Sequence, residues 1–158
     1  MAEFTHIDDQ GRVRMVDVSD KSSTMRVAVA RGKITMNRET LANIRSGGVK
    51  KGNVLETARI AGIMAAKRTW ELIPMCHPIA ITHAQVDFAA DDESNSIEIH
   101  SEVRTVGPTG VEIEAMTAVA VAAVTIYDMC KSYDRGMVIS EVRLVKKEGG
   151  KSGAFAAE

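Results

Sequence analysis

Four polar clusters in this chain carry groups able to move protons or hold anions: Lys50-Lys51, Cys76-His77, Glu112 with Glu114, and Tyr127-Asp128-Met129-Cys130-Lys131. Asp128 and Lys131 stand i, i+3 apart, so on a helix the carboxylate and the ammonium share one face and form an acid–base pair. The same spacing also describes an ordinary surface ion pair. Glu112 and Glu114 near a helix start are favoured by the macrodipole whether or not they touch a ligand. Lys50-Lys51 reads equally as a solvated loop, and His77 as a hydrogen-bonded turn residue. Cys76 and His77 lie inside Pro74-Met75-Cys76-His77-Pro78. Each proline there fixes its own φ at about −65° and biases the preceding residue away from helix. Met75 to His77 is therefore predicted as a stiff, extended corner that presents side chains.

Distance limits which clusters can cooperate. If one helix carries both Glu114 and Asp128, fourteen steps of ~1.5 Å place them about 21 Å apart. Lys51 and Lys67 flank another helical stretch and come out about 24 Å apart by the same rise. One small pocket in one subunit cannot use them all. Either several are bystanders, or the site is composite, donated across a subunit interface or spread along an extended substrate. Two other signals carry less. Gly149-Gly150-Lys151-Ser152 resembles the end of a phosphate loop, but the first glycine of that motif would fall at Val145 and no helix follows. As metal ligands, Cys76 and His77 point to opposite sides of an extended backbone, and His83 and His100 belong to different strands, so no dedicated metal site is expected.

The elements that must position these residues follow from pattern. Residues 1–22 have no sustained period and are expected to form a flexible arm, with Met15-Val16-Asp17-Val18 briefly extended. Residues 26–36 alternate as a strand, with a bulge expected at Gly32. Asn37 caps a short helix through Ile44 that Ser46-Gly47-Gly48 ends. Asn53 and Glu56 have capping-box spacing and open a long helix to about Thr69. Residues 81–89 and 97–106 read as a hairpin with Asp91-Asp92-Glu93-Ser94-Asn95 at its tip, and Ile97, Ile99, Ser101 and Val103 form one buried face. Residues 111–131 are too apolar for a surface helix and should be covered on two sides, the second by another subunit. A last strand spans 137–145, and residues 147–158 are expected to be a flexible tail. This order is a split βαβ pattern: an α+β, ferredoxin-like sandwich with an antiparallel sheet covered by helices, one domain over 1–158.

Composition excludes several classes. The chain has 158 residues with 45% hydrophobic content, enough for one well-cored domain. Lys+Arg 20 against Asp+Glu 21 gives a net charge of −1, so no general field draws nucleic acid or membrane, and any anion affinity is local. No stretch reads as approaching the ~20 apolar residues of a membrane span. The opening Met1-Ala2-Glu3-Phe4-Thr5-His6 is unlike a signal peptide, and a cytoplasmic location is expected. Cys76 and Cys130 are far apart without CxxC spacing, as befits reduced thiols.

Met15-Val16-Asp17-Val18, Lys51-Gly52 with Thr57-Ala58-Arg59-Ile60-Ala61-Gly62, Ala65-Ala66-Lys67-Arg68-Thr69 through His77-Pro78, Gly110-Val111-Glu112-Ile113-Glu114-Ala115, Ile126-Tyr127-Asp128-Met129-Cys130-Lys131 and the Gly-Gly-Lys-Ser-Gly tail occur in order along nearly the whole chain. Together they resemble the cyclic pyranopterin monophosphate synthase family of molybdenum cofactor biosynthesis. The resemblance implies a ferredoxin-like subunit assembled into dimers and then a hexamer, with active sites at the dimer interface. The implied substrate is 3′,8-cyclo-7,8-dihydroguanosine 5′-triphosphate, and the products are cyclic pyranopterin monophosphate and diphosphate. Lys51 and Lys131 are similar to the family's acid and base groups, and Asp128 to its catalytic aspartate. Met75, Cys76, His77, Ile113 and Glu114 match its substrate-binding segments. The family usually has Leu at position 75 and Met at 113; both changes are apolar and disturb packing little.

The chemistry agrees with those residue types. Opening an imidazole ring, closing a pyrazine ring and forming a cyclic phosphate need several proton transfers, and a lysine desolvated beside other cations loses its proton near neutral pH. Diphosphate leaves, so Lys67, Arg68, His77 or Arg26 would spread its developing charge. Glu112 and Glu114 would accept hydrogen bonds from a guanine-like N–H edge. No cofactor is required by this chemistry; Mg²⁺ is compatible with it but not demanded. Two other classes fit the same fold: a non-catalytic regulatory module binding a nucleotide at a subunit interface, and an RNA-binding sheet. Against the latter stand an aromatic content of 4% and strands without stacking aromatics.

Overall fold

The computed structural model describes residues 6–151 and 153–157. The opening pentapeptide, Ser152 and Glu158 lie outside the described residues, and with them those parts of the expected arm and tail. Strand β1 (Thr24–Thr35) leads to helix α1 (Arg38–Ser46), helix α2 (Val54–Lys67) and a single turn, α3 (Thr69–Leu72). Strands β2 (Ile81–Asp91) and β3 (Ser96–Gly107) follow, then helix α4 (Glu112–Cys130), strand β4 (Val138–Glu148) and the two-residue strand β5 (Phe155–Ala156). The sheet order is β2-β3-β1-β4-β5, and every neighbouring pair is antiparallel. This is the ferredoxin-like arrangement, with β3 inserted between the two strands that the first helical crossover connects.

Local chemistry explains the element ends. The Asn37 side chain accepts the Thr40 N–H at 2.8 Å, and α1 stops where Gly47 turns left-handed at φ 70. There Gly48 N–H bonds back to the Asn43 carbonyl at 2.9 Å, closing the last turn. Asn53 caps α2 by accepting the Glu56 N–H at 3.1 Å. At the hairpin tip the Asp91 carboxylate accepts from the Glu93 N–H at 2.9 Å and the Ser94 hydroxyl at 2.6 Å, and Asn95 takes φ 48. On β3, Ile97, Ile99, Ser101 and Val103 are buried while Glu98 and Arg104 are exposed, so the alternation places one face on the core.

The irregularity expected at Gly32 sits on the neighbouring strand. β1 pairs with β3 without interruption through Gly32↔Ile99. Opposite β4 the register shifts between Arg31↔Arg143 and Lys33↔Ser140, which leaves the extra residue on β4, where Glu141 adopts φ 56. The glycine serves packing instead. A Cβ at position 32 would lie 2.5 Å from Val119 Cγ1 and 3.2 Å from Val142 Cγ2, so its absence lets α4 settle on the sheet.

Helix α4 is covered by the sheet on one side and by α2 of the same chain on the other, where a Cβ at Gly62 would meet the Ala118 carbonyl at 2.9 Å. The second cover, expected from another subunit, comes mostly from α2 of the same chain. Ile113 and Val124 remain exposed on α4. By length and composition α4, 19 residues with mean hydropathy 1.5, could cross a membrane, contrary to the reading that no stretch approaches such a span. Ala115, Ala118, Val119, Ala122, Ala123 and Ile126 instead bury its apolarity against Ile34, Ile99 and Val103 in the common core. β4 reaches Glu148, and Phe155 pairs with Lys147, so regular structure enters the segment expected as tail.

Candidate functional site

Two sites form at opposite ends of α4. Its C-terminal end brings Asp128 and Lys131 to the loop that precedes α2. Lys51 Nζ donates to the Asp128 carbonyl at 2.8 Å and lies 3.2 Å from Asp128 Oδ2, while Lys131 Nζ is 2.9 Å from Asp128 Oδ1. The carboxylate is thus held between two ammonium groups. Hydrogen bonds from Lys131 and Lys51 hold Asp128 below its ordinary carboxylate range. The Lys131 ammonium is raised in turn, first by its hydrogen bond to Asp128 and then by that group's charge. This differs from the expectation of a lysine that sheds its proton easily, because the nearest partner is an anion and the side chain is half exposed. In a single chain Lys131 therefore holds its proton more tightly than a free lysine does.

The other end of α4 faces the proline corner. Here the predicted extended corner is a turn: Pro74 and Met75 occupy its centre and the Cys76 N–H closes it onto the Ile73 carbonyl at 3.1 Å. Proline suits the second position of such a turn, and the reversal brings Cys76 and His77 to the same groove rather than to opposite sides. The groove has a volume of ≈ 550 Å³ and is lined by Met75, Cys76, His77, Glu112, Ile113 and Glu114, together with Val16 and Val18 of the arm. His77 Nε2 is 2.8 Å from the Val16 carbonyl, so the arm contributes one wall. Glu114 is buried, and burial first, then the negative charge of Glu112, pushes its pKa up to about 7. Cys76 is likewise raised, by burial and then by Glu114, which keeps it a thiol. Cys130 is buried beyond Asp128 and pushed up to about 11 by burial.

A second recess of ≈ 530 Å³ adjoins the groove and shares Lys21, Thr109, Gly110 and Glu112 with it. Arg26 and Lys151 add their side chains to its lining. Arg26 is steadied by the Pro108 carbonyl at 3.1 Å, and Glu112 by Lys147 Nζ at 3.3 Å. Lys21, Arg26 and Lys151 thus set three cationic side chains around this recess, with the Glu112 carboxylate among them.

Sequence reasoning did not single out Lys21, Thr109 or Lys147. Lys147 reaches Glu112 through the β1–β4 pairing, which joins residues far apart in the chain, so no local pattern announces it. Lys67 is exposed at the end of α2 and lines neither recess. Among the described residues no group of three or more His, Cys, Asp and Glu is placed to hold a metal ion. The clusters at the two ends of α4 do not meet: the single helix holds Glu114 and Asp128 about 21 Å apart.

Residues 15–150 match the model of the MoaC family. The chain is 64% identical over 158 residues to the cyclic pyranopterin monophosphate synthase of Desulforapulum autotrophicum, covering 100% of this chain and 97% of that protein. It is 62% identical to the protein of the same name from Desulfatibacillum aliphaticivorans, over 100% and 99% of the two chains. Against that of a Thermoanaerobacter species, strain X514, identity is 61% over 155 residues, 98% of each chain.

Proposed function

The chain belongs to the MoaC family, and from that premise we propose that it converts 3′,8-cyclo-7,8-dihydroguanosine 5′-triphosphate to cyclic pyranopterin monophosphate and diphosphate by lysine and aspartate acid–base catalysis. It is a lyase of the cyclic pyranopterin monophosphate synthase type. The observation that carries the mechanism is the closed Lys51–Asp128–Lys131 cluster, where one carboxylate is held between two amines. Lys131, held protonated by Asp128, donates the proton that ring opening requires. Lys51, released from Asp128 by the arriving substrate, would serve as the second group for proton transfer during ring closure.

The groove and recess at the other end of α4 would hold the substrate. Glu112 and Glu114 accept from the guanine-derived N–H edge, and the hollow beside Met75, Cys76 and Ile113 receives the ring. Arg26, Lys21 and Lys151, with His77 nearby, take the triphosphate and stabilise the departing diphosphate. Each step breaks or forms a C–N bond with proton transfer, or is a displacement at phosphorus, and none is a net oxidation or reduction, so the chemistry asks for no redox cofactor. Because the two ends of α4 are too far apart for one substrate, the complete site pairs the groove of one subunit with the lysine cluster of a second. The exposed Ile60, Met64, Trp70, Leu72 and Val124 on the helical side support such an assembly, proposed as a hexamer of three dimers in the cytoplasm.

The test supplies the cyclic dihydroguanosine triphosphate to the intact oligomer and measures diphosphate together with oxidisable pterin. Turnover is expected, and Lys51→Ala or Lys131→Ala should lower kcat at least ~100-fold while substrate still binds. Loss of affinity alone in these variants would instead mark a nucleotide-binding regulatory module.

A further inference from the structure

The lysine cluster is held together by a backbone contact that neither acid–base group makes. The loop before α2 folds on itself, with the Gly52 N–H on the Val49 carbonyl at 3.0 Å and Val49 buried. Between them, the Lys50 backbone N–H donates to the Tyr133 hydroxyl at 3.1 Å. Tyr133 itself sits in the turn that follows Lys131. Its N–H and that of Asp134 both bond to the Cys130 carbonyl, at 2.8 Å and 3.1 Å, which fastens the turn to the last residues of α4. The Asp134 carboxylate accepts from the Asn37 N–H at 2.7 Å and the Gly136 N–H at 2.9 Å, fixing the same turn to the start of α1. Tyr127 adds a third tie through its hydroxyl to the Arg135 carbonyl at 3.0 Å.

We propose that Tyr133 is a positioning residue for Lys51, a rigid phenol strut that sets the distance between the Lys51 loop and the turn carrying Lys131. The proposal rests on the assignment of Lys51 to proton transfer. In the resting arrangement Lys51 is also held through its own side chain, by the Asp128 carbonyl and carboxylate. Those are the contacts that must loosen when the ammonium turns to substrate. A lysine has a flexible four-carbon stem, so once its tip is released only a fixed backbone keeps the amine within reach of the reacting atom. The strut acts on the neighbouring peptide and leaves the side chain free to move. A phenol with two side-chain torsions gives that anchor with little freedom of its own.

Tyr133→Phe removes the acceptor and keeps the ring. In the intact oligomer it should lower kcat about fivefold with KM changed less than about twofold, as expected for one lost hydrogen bond that orients but does not bind. Amide exchange over residues 49–52 should quicken, while the thermal midpoint stays within about 2 °C of the parent. Unchanged kcat, or equal losses in kcat, substrate affinity and folded fraction, would overturn the proposal. Lys51→Ala separates the two levels. Full turnover in that variant removes the acid–base assignment and the strut with it, whereas an inactive Lys51→Ala beside an unimpaired Tyr133→Phe overturns the strut alone.

Discussion

Glu114 is the only carboxyl buried among the described residues, and burial pushes it up to about 7. A carboxyl whose folded pKa lies above its ordinary value holds its proton more tightly in the folded chain, so stability falls as pH rises from about 4.5 toward about 7 and stays lower above that. Glu114→Gln removes the charged form. It should raise the thermal midpoint at pH 8 relative to the parent, change it little at pH 5, and abolish most turnover; calorimetry at the two pH values reads the difference, and equal shifts at both would contradict burial as the cause. At this scale the sequence carried the Asp128–Lys131 pair, because i, i+3 spacing on a helix is a local fact. Lys51 joined that pair only through family likeness. Its contact with Asp128 spans the loop before α2 and the end of α4, and nothing in either segment alone encodes it.

The helices and the sheet are spaced by missing side chains. At Gly62 a methyl group would press on the Ala118 carbonyl at 2.9 Å and on Val86 at 3.2 Å, and backbone cannot step aside as a flexible side chain can. Gly62→Ala gains helix propensity of up to ~1 kcal/mol but overpacks the α2–α4 contact at a cost of ~1–3 kcal/mol. The expected outcome is a lower denaturation midpoint, with activity reduced because α2 carries the loop of Lys51 at its start; a stabilised variant would show the helices can part freely. Caps, hairpin tip and the inward face of β3 were all legible, since each depends on residues within a turn or on alternation. The displaced bulge and the turn at Pro74 were not. The first belongs to the pairing of β1 with β4, and the second depends on the chain reversing after α3 rather than on proline alone.

For the whole molecule, the site proposed above, shared between two subunits, could be repaired by mixing. A dimer of one His77→Ala and one Lys131→Ala subunit contains one site with both defects and one with neither. Random exchange of the two inactive variants should therefore recover about a quarter of the parent activity, following the symmetry of a two-fold pair. Subunit exchange confirmed by mass, with no recovered turnover, would mean that each chain completes its own site. The same layout makes α4 a gauge as well as a core helix. Deleting one residue between Glu114 and Asp128 would swing Asp128 by about 100° around the axis and draw it in by ~1.5 Å, leaving every side chain present and the two ends out of phase. In the proposed composite site the length of this helix is itself functional, and insertions or deletions should be admitted at the 91–95 hairpin tip but refused within residues 112–130.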